Sequence, residues 1–205
     1  MLKVVLFWAL SLAVLVGGAV VVCPDGQCVL NSFDRIGLSL AHALRSERLD
    51  GLMSWVTWLG SLRMLLPLIG VGAWFLYRGG RGREAGFVIL AVLGSSALSH
   101  LVKLWVARPR PDLFAAWLPM SETWSYPSSH AMQATAAALA LVLVARRRSA
   151  AWLVPLGFAV LLVGVSRIYL QVHFPSDVIV GMLAAAWWVA GLQALIFGGR
   201  RATPG

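Results

Sequence analysis

Six apolar runs, each near the length needed to cross a bilayer, constrain the fold of this chain more than any other feature of its sequence. They cover residues 2–22, 53–77, 85–106, 129–145, 150–167 and 177–198. A transmembrane helix needs roughly 20 apolar residues, with about 17 at the lower limit. Hydrophobic residues make up 60% of the chain and charged residues 12%, against roughly 45–50% and 25% in a soluble domain. The sequence therefore predicts an all-α integral membrane protein with six transmembrane helices.

The six runs form one unit, because only short breaks separate them and no Ser/Gly-rich linker or low-complexity tract lies between them. We expect a single membrane-embedded domain over residues 1–205. The net charge of +9 raises the question of nucleic-acid binding. Nucleic-acid modules carry their cations on a solvated face, whereas here the Lys and Arg residues lie in short clusters between apolar runs. This charge pattern is typical of membrane topology and argues against a nucleic-acid partner.

The clusters of positive charge also predict the orientation, since cytoplasmic segments carry an excess of Lys and Arg. With the N-terminus inside, the cytoplasmic cations are Lys3, Arg78, Arg81, Arg83, Arg146, Arg147, Arg148, Arg200 and Arg201. Both termini are then cytoplasmic, and segments 23–52 and 107–128 are outside. Alternatively, the first run is a cleaved signal peptide, since Lys3, an apolar stretch and small residues near position 18 fit that pattern. The outer side of the later loops would not change.

The first outer segment contains the only two cysteines, Cys23 and Cys28. On the oxidising side a disulfide between them is favoured over two free thiols. Residues 33–52 predict a helix lying in the outer interface. Its apolar face is formed by Phe33, Ile36, Leu40 and Leu44, and its polar face by Asp34, Arg45, Glu47 and Arg48.

Four cations contradict the topology rule by lying at outer span ends or in outer loops: Lys103, Arg108, Arg110 and Arg167. The prolines that follow Arg108 and Arg110 disfavour a helix there and hold the chain extended. Guanidinium groups match phosphate oxygens in geometry, and clustered cations repel unless an anion lies between them. We interpret the group as a phosphate site, although any one of these residues alone would indicate snorkelling towards lipid headgroups.

The stretch "YPSSHAMQ" predicts the start of a helix after Pro127. The first amides of a helix are unpaired and its dipole is positive there, so the turn can bind an anion. Ser128 either acts as the N-cap or donates its hydroxyl to that anion, and His130 would lie beside the anion. The alternative is an ordinary capping turn with an incidental histidine.

The stretch "SRIYLQVHFPSD" brings Arg167, His173 and Asp177 close together between the last two runs. If Pro175 begins the last helix, the Asp177 carboxylate can bind one imidazole nitrogen of His173 and leave the other nitrogen's lone pair outward. An oriented imidazole beside a phosphate is a nucleophile. His130 would then protonate the departing oxygen.

A metal site is the alternative chemistry, with His100, His130, His173 and Asp177 as possible ligands. Metal sites for phosphoryl transfer usually contain several carboxylates. The two catalytic loops contain three acidic residues, Asp112, Glu122 and Asp177, against the four cations. This balance favours phosphate binding without a metal or another cofactor.

Three groups of these residues resemble the signature motifs of the type 2 phosphatidic acid phosphatase superfamily. They are Lys103 followed after six residues by Arg110-Pro111, then Pro127-Ser128-Ser129-His130, and finally Ser166-Arg167 followed by His173 and Asp177. The resemblance implies that Lys103, Arg110, Ser128 and Arg167, with the amides after Ser128, hold the phosphate. It further implies that His173 is the nucleophile and forms a phosphohistidine, that His130 is the general acid, that Asp177 orients His173, and that no metal is needed.

The chain departs from the family pattern at Ser129, where glycine is usual. Serine can still lend its amide to a phosphate, provided its backbone needs no positive φ. Arg108 is not a residue of the family's motif, and we expect it to contact either a second phosphate or the lipid surface.

These observations predict a metal-independent phosphatase that acts on a lipid phosphomonoester or diphosphate at the outer face of a bacterial inner membrane. Candidate substrates are undecaprenyl diphosphate, phosphatidylglycerol phosphate, phosphatidic acid and lipid A phosphate. A lipid phosphotransferase would use the same site. A transporter of anions or lipids is the alternative from another class, since intramembrane charge often marks transport paths. Transport alone, however, would not need the two histidines.

Overall fold

A computed structural model describes residues 1–117, 124–145 and 149–198. Its helices are α1 Leu2–Val22, α2 Ser32–Ala43, α3 Glu47–Val56, α4 Leu62–Arg78, α5 Gly82–Val106, α6 Ser129–Ala145, α7 Ala150–Tyr169 and α8 Pro175–Phe197. Short 3-10 turns cover Pro24–Gly26 and Thr57–Gly60. The all-α prediction is therefore confirmed for the described residues. Several predicted residues lie outside them: Glu122, Arg146, Arg147, Arg148, Arg200 and Arg201.

Four helices, α1, α5, α7 and α8, are long and apolar enough to cross a membrane. The pair Glu47–Gly60 and Leu62–Arg78 passes the same test as one bent span. Helix α6 is apolar but has only 17 residues. Large apolar side chains are exposed on the outer faces of the bundle, for example Leu68 at 58% and Phe158 at 60%. A bilayer is the solvent that suits such faces, so this is a multi-pass membrane protein.

The region of the predicted span over 53–77 is bent, because the chain turns by 44° between the two helices of this pair. The 3-10 turn at the bend packs closely against α6 and α7. A Cβ on Gly60 would lie 2.9 Å from the His130 carbonyl oxygen and 2.6 Å from Val163 Cγ1. Only glycine allows this approach without displacement of a neighbour. Thr57, in the same 3-10 turn, is buried.

The main core lies among α1, α5, α6 and α8. Leu15, Phe87, Met132 and Ala184 are fully buried there. Tyr126, which precedes α6, is also fully buried and donates a hydrogen bond from its hydroxyl to the Leu15 carbonyl at 2.6 Å. This contact fixes the chain before α6 against α1.

The outer segment after α1 folds partly as predicted. Cys23 and Cys28 form a disulfide. Instead of one interfacial helix over 33–52 there are two, α2 and α3, because Ser46 caps a new helix by accepting the Leu49 N–H. The four predicted apolar residues from Phe33 to Leu44 are exposed, at 56–67%. The prediction that Asp34 belongs to the polar face is wrong, since Asp34 is 0% exposed and lies on the face turned into the protein.

Candidate active site

The three predicted motifs meet at one end of the bundle. The ends of α5 and α7, the starts of α6 and α8, and the loops beside them contribute Lys103, Arg110, Ser128, Ser129, His130, Arg167, His173 and Asp177. Helix α5 stops because Ala107 adopts a left-handed conformation with φ of 50°. Prolines 109 and 111 then keep the following segment from resuming a helix. The arginines of this segment therefore lie on a stiff, non-helical stretch of the chain.

His173 lies in the short loop between α7 and α8 and is 2% exposed. Its Nδ1 is 3.4 Å from Asp177 Oδ2, and its Nε2 is 3.4 Å from Nη1 of Arg110. A carboxylate only accepts hydrogen bonds, so the proton belongs on Nδ1 and the lone pair on Nε2. The nitrogen that could attack a phosphorus atom therefore faces Arg110.

The pKa of His173 lies well below its usual value, chiefly because burial penalises the charged ring. Positive charges close to the ring lower this pKa further: Lys103, Arg167, Arg110 and His130. The imidazole is therefore neutral near pH 7, and the neutral form is the nucleophile.

The cations of the site are largely removed from solvent. Lys103 and Arg167 are only 7% and 2% exposed. Burial lowers the pKa of Arg110, and the nearby Asp177 carboxylate partly offsets this decrease. Lys103 Nζ donates to the carbonyls of residues 124 and 125 at 2.6 and 3.0 Å. Arg167 Nη1 donates to Thr57 Oγ1 at 2.7 Å. These acceptors are neutral, and within the part of the chain that the structure describes neither Lys103 nor Arg167 forms an ion pair with a carboxylate.

Two buried atoms of the motifs, Ser128 Oγ and Arg167 Nε, have no hydrogen-bond partner among the described residues. Buried polar atoms in proteins are nearly always paired. The oxygens of a bound anion would accept hydrogen bonds from both, and the nearby cations would attract the same anion. An anion with several acceptor oxygens would therefore suit this position.

The start of α6 is built against its neighbours. The Ser128 N–H donates to the Asp177 carbonyl at 3.1 Å, so this amide is occupied. The Ser129 hydroxyl is 2.8 Å from the Ser99 hydroxyl of α5. The Ser129 side chain thus joins two helices, and its amide, with the next ones of the first turn, is free of helical acceptors. Gly181 allows α8 to approach, since a Cβ there would lie 3.0 Å from the Ser128 carbonyl oxygen.

Sequence reasoning missed the environment of Arg108. The expectation of a second phosphate or a lipid contact is wrong, because the Arg108 guanidinium is 1% exposed and pairs with two buried carboxylates, Asp34 and Asp177. The spacing of Asp34 four residues before Leu38, on one helical face, was a usable signal, since Leu38 is 0% exposed.

The metal alternative finds little support in the arrangement. His100 is exposed on α5, whereas His173 and Asp177 are buried. Within the described ranges, no three His, Cys, Asp or Glu side chains are grouped so that they could hold a metal ion. The donor set around His173 is dominated by cations and suits an anion.

Comparison with known proteins agrees with the geometry. Residues 84–200 match the model of the PAP2 superfamily. Phosphatidylglycerophosphatase B of Bacillus subtilis (strain 168) is 33% identical over 164 residues, which are 74% of this chain and 77% of that protein. An undecaprenyl-diphosphatase of Sulfolobus acidocaldarius is 31% identical over 145 residues, which are 68% of this chain and 66% of that protein.

A solved structure resembles nearly the whole fold. The crystal structure of a transmembrane PAP2-type phosphatidylglycerolphosphate phosphatase from Bacillus subtilis superimposes with a TM-score of 0.75 and 28% identity. The match covers 98% of this chain and 99% of that one. The family match covers all three motifs, helices α6 to α8 and nearly all of α5, and on this evidence the chain belongs to the PAP2 superfamily.

Proposed function

We propose that this protein is a lipid phosphatase that hydrolyses a phosphomonoester or diphosphate of a membrane lipid through a phosphohistidine, without a metal ion. The observation that carries the proposal is the orientation of His173, whose Nδ1 faces Asp177 while Nε2 faces Arg110. The buried cations and the two unpaired donors support a phosphate at this position.

In the first step, Lys103, Arg110 and Arg167 bind the phosphate oxygens, together with the Ser128 hydroxyl and the first amides of α6. The His173 Nε2 lone pair forms a bond to phosphorus, and the bond from phosphorus to the lipid oxygen breaks. His130 donates its proton to the departing oxygen. The lipid leaves as an alcohol, or as a monophosphate if the substrate is a diphosphate.

In the second step, water attacks the phosphorus of the phosphohistidine. His130, now neutral, accepts a proton from this water, and the bond between phosphorus and Nε2 breaks. Inorganic phosphate leaves and both histidines return to their starting states. Throughout the cycle Asp177 holds Nδ1–H and stabilises the positive charge that develops on the ring.

We further propose six spans, with α6 as a short one and α3–α4 as a bent one. Both termini are cytoplasmic, and the active site faces the periplasm or exterior of a bacterial inner membrane. The cysteine pair supports this orientation, since disulfides persist on the oxidising side. Arg81 lies at the start of α5, at the end of that helix opposite Lys103, and donates to the Val144 carbonyl at 2.7 Å. A cation at that end agrees with a cytoplasmic surface.

A cavity between α4, α6 and α7 supports a lipid as the substrate. Its volume is about 670 Å³, and its lining is almost entirely apolar and includes Leu59, Ile69, Gly72, Ala138, Val160 and Val163. Leu59 and Val163 lie beside the Gly60 contact with His130, and Arg81 lies at the far end. A hydrocarbon chain would fit such a cavity while its phosphate reached the site.

The test is phosphate release from the four candidate lipids in detergent micelles. Phosphatidylglycerol phosphate and undecaprenyl diphosphate come first, because relatives carry the names of those activities. We expect turnover of at least one lipid with the wild type and none with His173→Gln. His42→Gln is the matched control, since His42 is an exposed histidine stacked on Phe114.

A phosphoryl group on nitrogen should also be trapped during turnover, as an acid-labile and base-stable modification that His173→Gln lacks. Undiminished release by His173→Gln would refute the mechanism. Absence of release from all four lipids with wild type would refute the function. Transfer of phosphate to an added acceptor lipid, instead of to water, would identify a phosphotransferase.

A further inference from the structure

Arg108 occupies an enclosed position between two carboxylates that come from distant parts of the chain. Its Nη2 is 2.8 Å from Asp34 Oδ2, and its Nη1 is 2.7 Å from Asp177 Oδ1. Both aspartates are 0% exposed. The guanidinium also lies 3.8 Å from the centre of the Phe174 ring. Both terminal nitrogens of Arg108 are therefore engaged by carboxylates and not directed to a phosphate.

Asp34 holds Arg108 and the start of α8 together. Its Oδ1 accepts the Ser176 N–H at 2.9 Å, and its Oδ2 accepts the Ser176 hydroxyl at 2.7 Å. That hydroxyl in turn accepts from Arg108 Nη1 at 2.9 Å. Asp34 itself is anchored by Asn31, whose side-chain oxygen accepts the Asp34 N–H at 2.8 Å. The interfacial helix α2 is thus linked to the residue next to Asp177.

The two oxygens of Asp177 have different tasks. Arg108 binds Oδ1, while Oδ2 accepts the Phe174 N–H at 3.1 Å and faces His173 Nδ1. Without the Arg108 contact, the carboxylate could rotate towards the cations of the phosphate site. A short bond between two buried, oppositely charged groups prevents this rotation, because its angle and distance are tightly defined.

From these contacts we infer that Arg108, held in turn by Asp34, is a positioning residue that fixes the Asp177 carboxylate against His173. This inference rests on the proposed function. It makes α2 part of the support of the nucleophile, although no residue of α2 belongs to the three motifs.

The test compares Arg108→Lys and Asp34→Asn with the wild type in steady-state kinetics on the best lipid substrate. A lysine keeps the charge but lacks the planar fork by which Arg108 contacts the two carboxylates from separate nitrogens. Loss of the hydrogen-bond partner that orients a metal-binding histidine typically costs about 10–100-fold, and we expect the same range for this oriented histidine. We expect kcat to fall by about that factor while KM changes by less than about threefold, since no phosphate contact is lost. The rate of phosphohistidine formation in a single turnover should fall equally.

Arg45→Gln is the matched control, because Arg45 pairs with Asp50 in the same outer segment at 3.4 Å and lies outside the motifs. It should keep wild-type kcat. If Arg108→Lys does not fold, Asp34→Asn, which nearly preserves the side-chain volume, carries the test alone. The folded state of each variant is checked by its Tm and by its elution profile in detergent.

Unchanged kcat per folded molecule in both variants would overturn the inference. A raised KM with wild-type kcat would also overturn it, since Arg108 would then act on the phosphate. Either result leaves the proposed function intact, because that function depends on wild-type turnover and its loss in His173→Gln.

Discussion

Replacement of Asp177 by asparagine tests the orientation of the nucleophile most directly. Arg108 donates to Oδ1 at 2.7 Å, so in Asp177→Asn the side-chain oxygen should stay towards Arg108. The amide nitrogen then takes the position of Oδ2, where it meets the Phe174 N–H, which is 3.1 Å from Oδ2 now. It also faces the Nδ1–H of His173. Three donors cannot satisfy one another, and the ring can relieve the conflict by moving its proton to Nε2.

This change of tautomer removes the Nε2 lone pair that attacks phosphorus in the proposed mechanism. The equivalent replacement in a Ser-His-Asp triad lowers kcat by about 10⁴ through the same cause. For Asp177→Asn we expect a fall in kcat of about 10³- to 10⁴-fold, which corresponds to about 4–5 kcal/mol in the activation barrier. KM should stay within a few-fold of wild type, because the carboxylate holds the imidazole and does not bind the substrate.

The assay is single-turnover formation of the phosphohistidine, with nitrogen NMR of labelled histidine to read the tautomer. Asp50→Asn is the control, since Asp50 is also buried, at 5% exposure, and accepts the Tyr169 hydroxyl at 2.9 Å, outside the motifs. A kcat for Asp177→Asn within tenfold of wild type, or an unchanged tautomer, would refute the reasoning.

Three further predictions concern the same region. Because the pKa of His173 is lowered in the folded state, the unfolded chain binds a proton below pH ~6.5 that the folded chain does not bind. Acidification from pH 7 to 5 should therefore lower the Tm of wild type more than that of His173→Gln. Equal dependence of the two Tm values on pH would contradict the lowered pKa. Ser128→Ala removes a buried hydroxyl that has no partner among the described residues, so the Tm should be unchanged or raised. The value of kcat/KM should fall by about tenfold, which corresponds to the loss of a hydrogen bond of about 1.5 kcal/mol to a charged group. An unchanged kcat/KM would show that the hydroxyl does not bind substrate. Gly60→Ala should destabilise the protein by about 1–3 kcal/mol through overpacking. Gly70→Ala should not, because a Cβ there meets nothing within 4 Å. Equal Tm values for the two variants would argue against the close contact at the bend.

Much of the site could be predicted because its parts are local in sequence. His173 and Asp177 are four residues apart across a helix start, and Pro175 predicts that start. Lys103 and Arg110 lie on either side of a helix end. Each group therefore lies at one helix terminus and the loop beside it. Which oxygen of Asp177 contacts His173, and what the other oxygen binds, depended on residues far along the chain.

The sequence by itself determined the membrane environment, the helical class and the three motifs, since apolar length, charge clusters and turn residues act over short stretches of chain. Only the tertiary structure decided the bend at Gly60, the joining of Ser129 to Ser99, and the burial of Asp34 against Arg108, which is 74 residues away. The physical reason is that a buried polar group must find its partners wherever packing brings them. Helical periodicity indicates which face of a helix is buried, but it does not identify the residue on the other side.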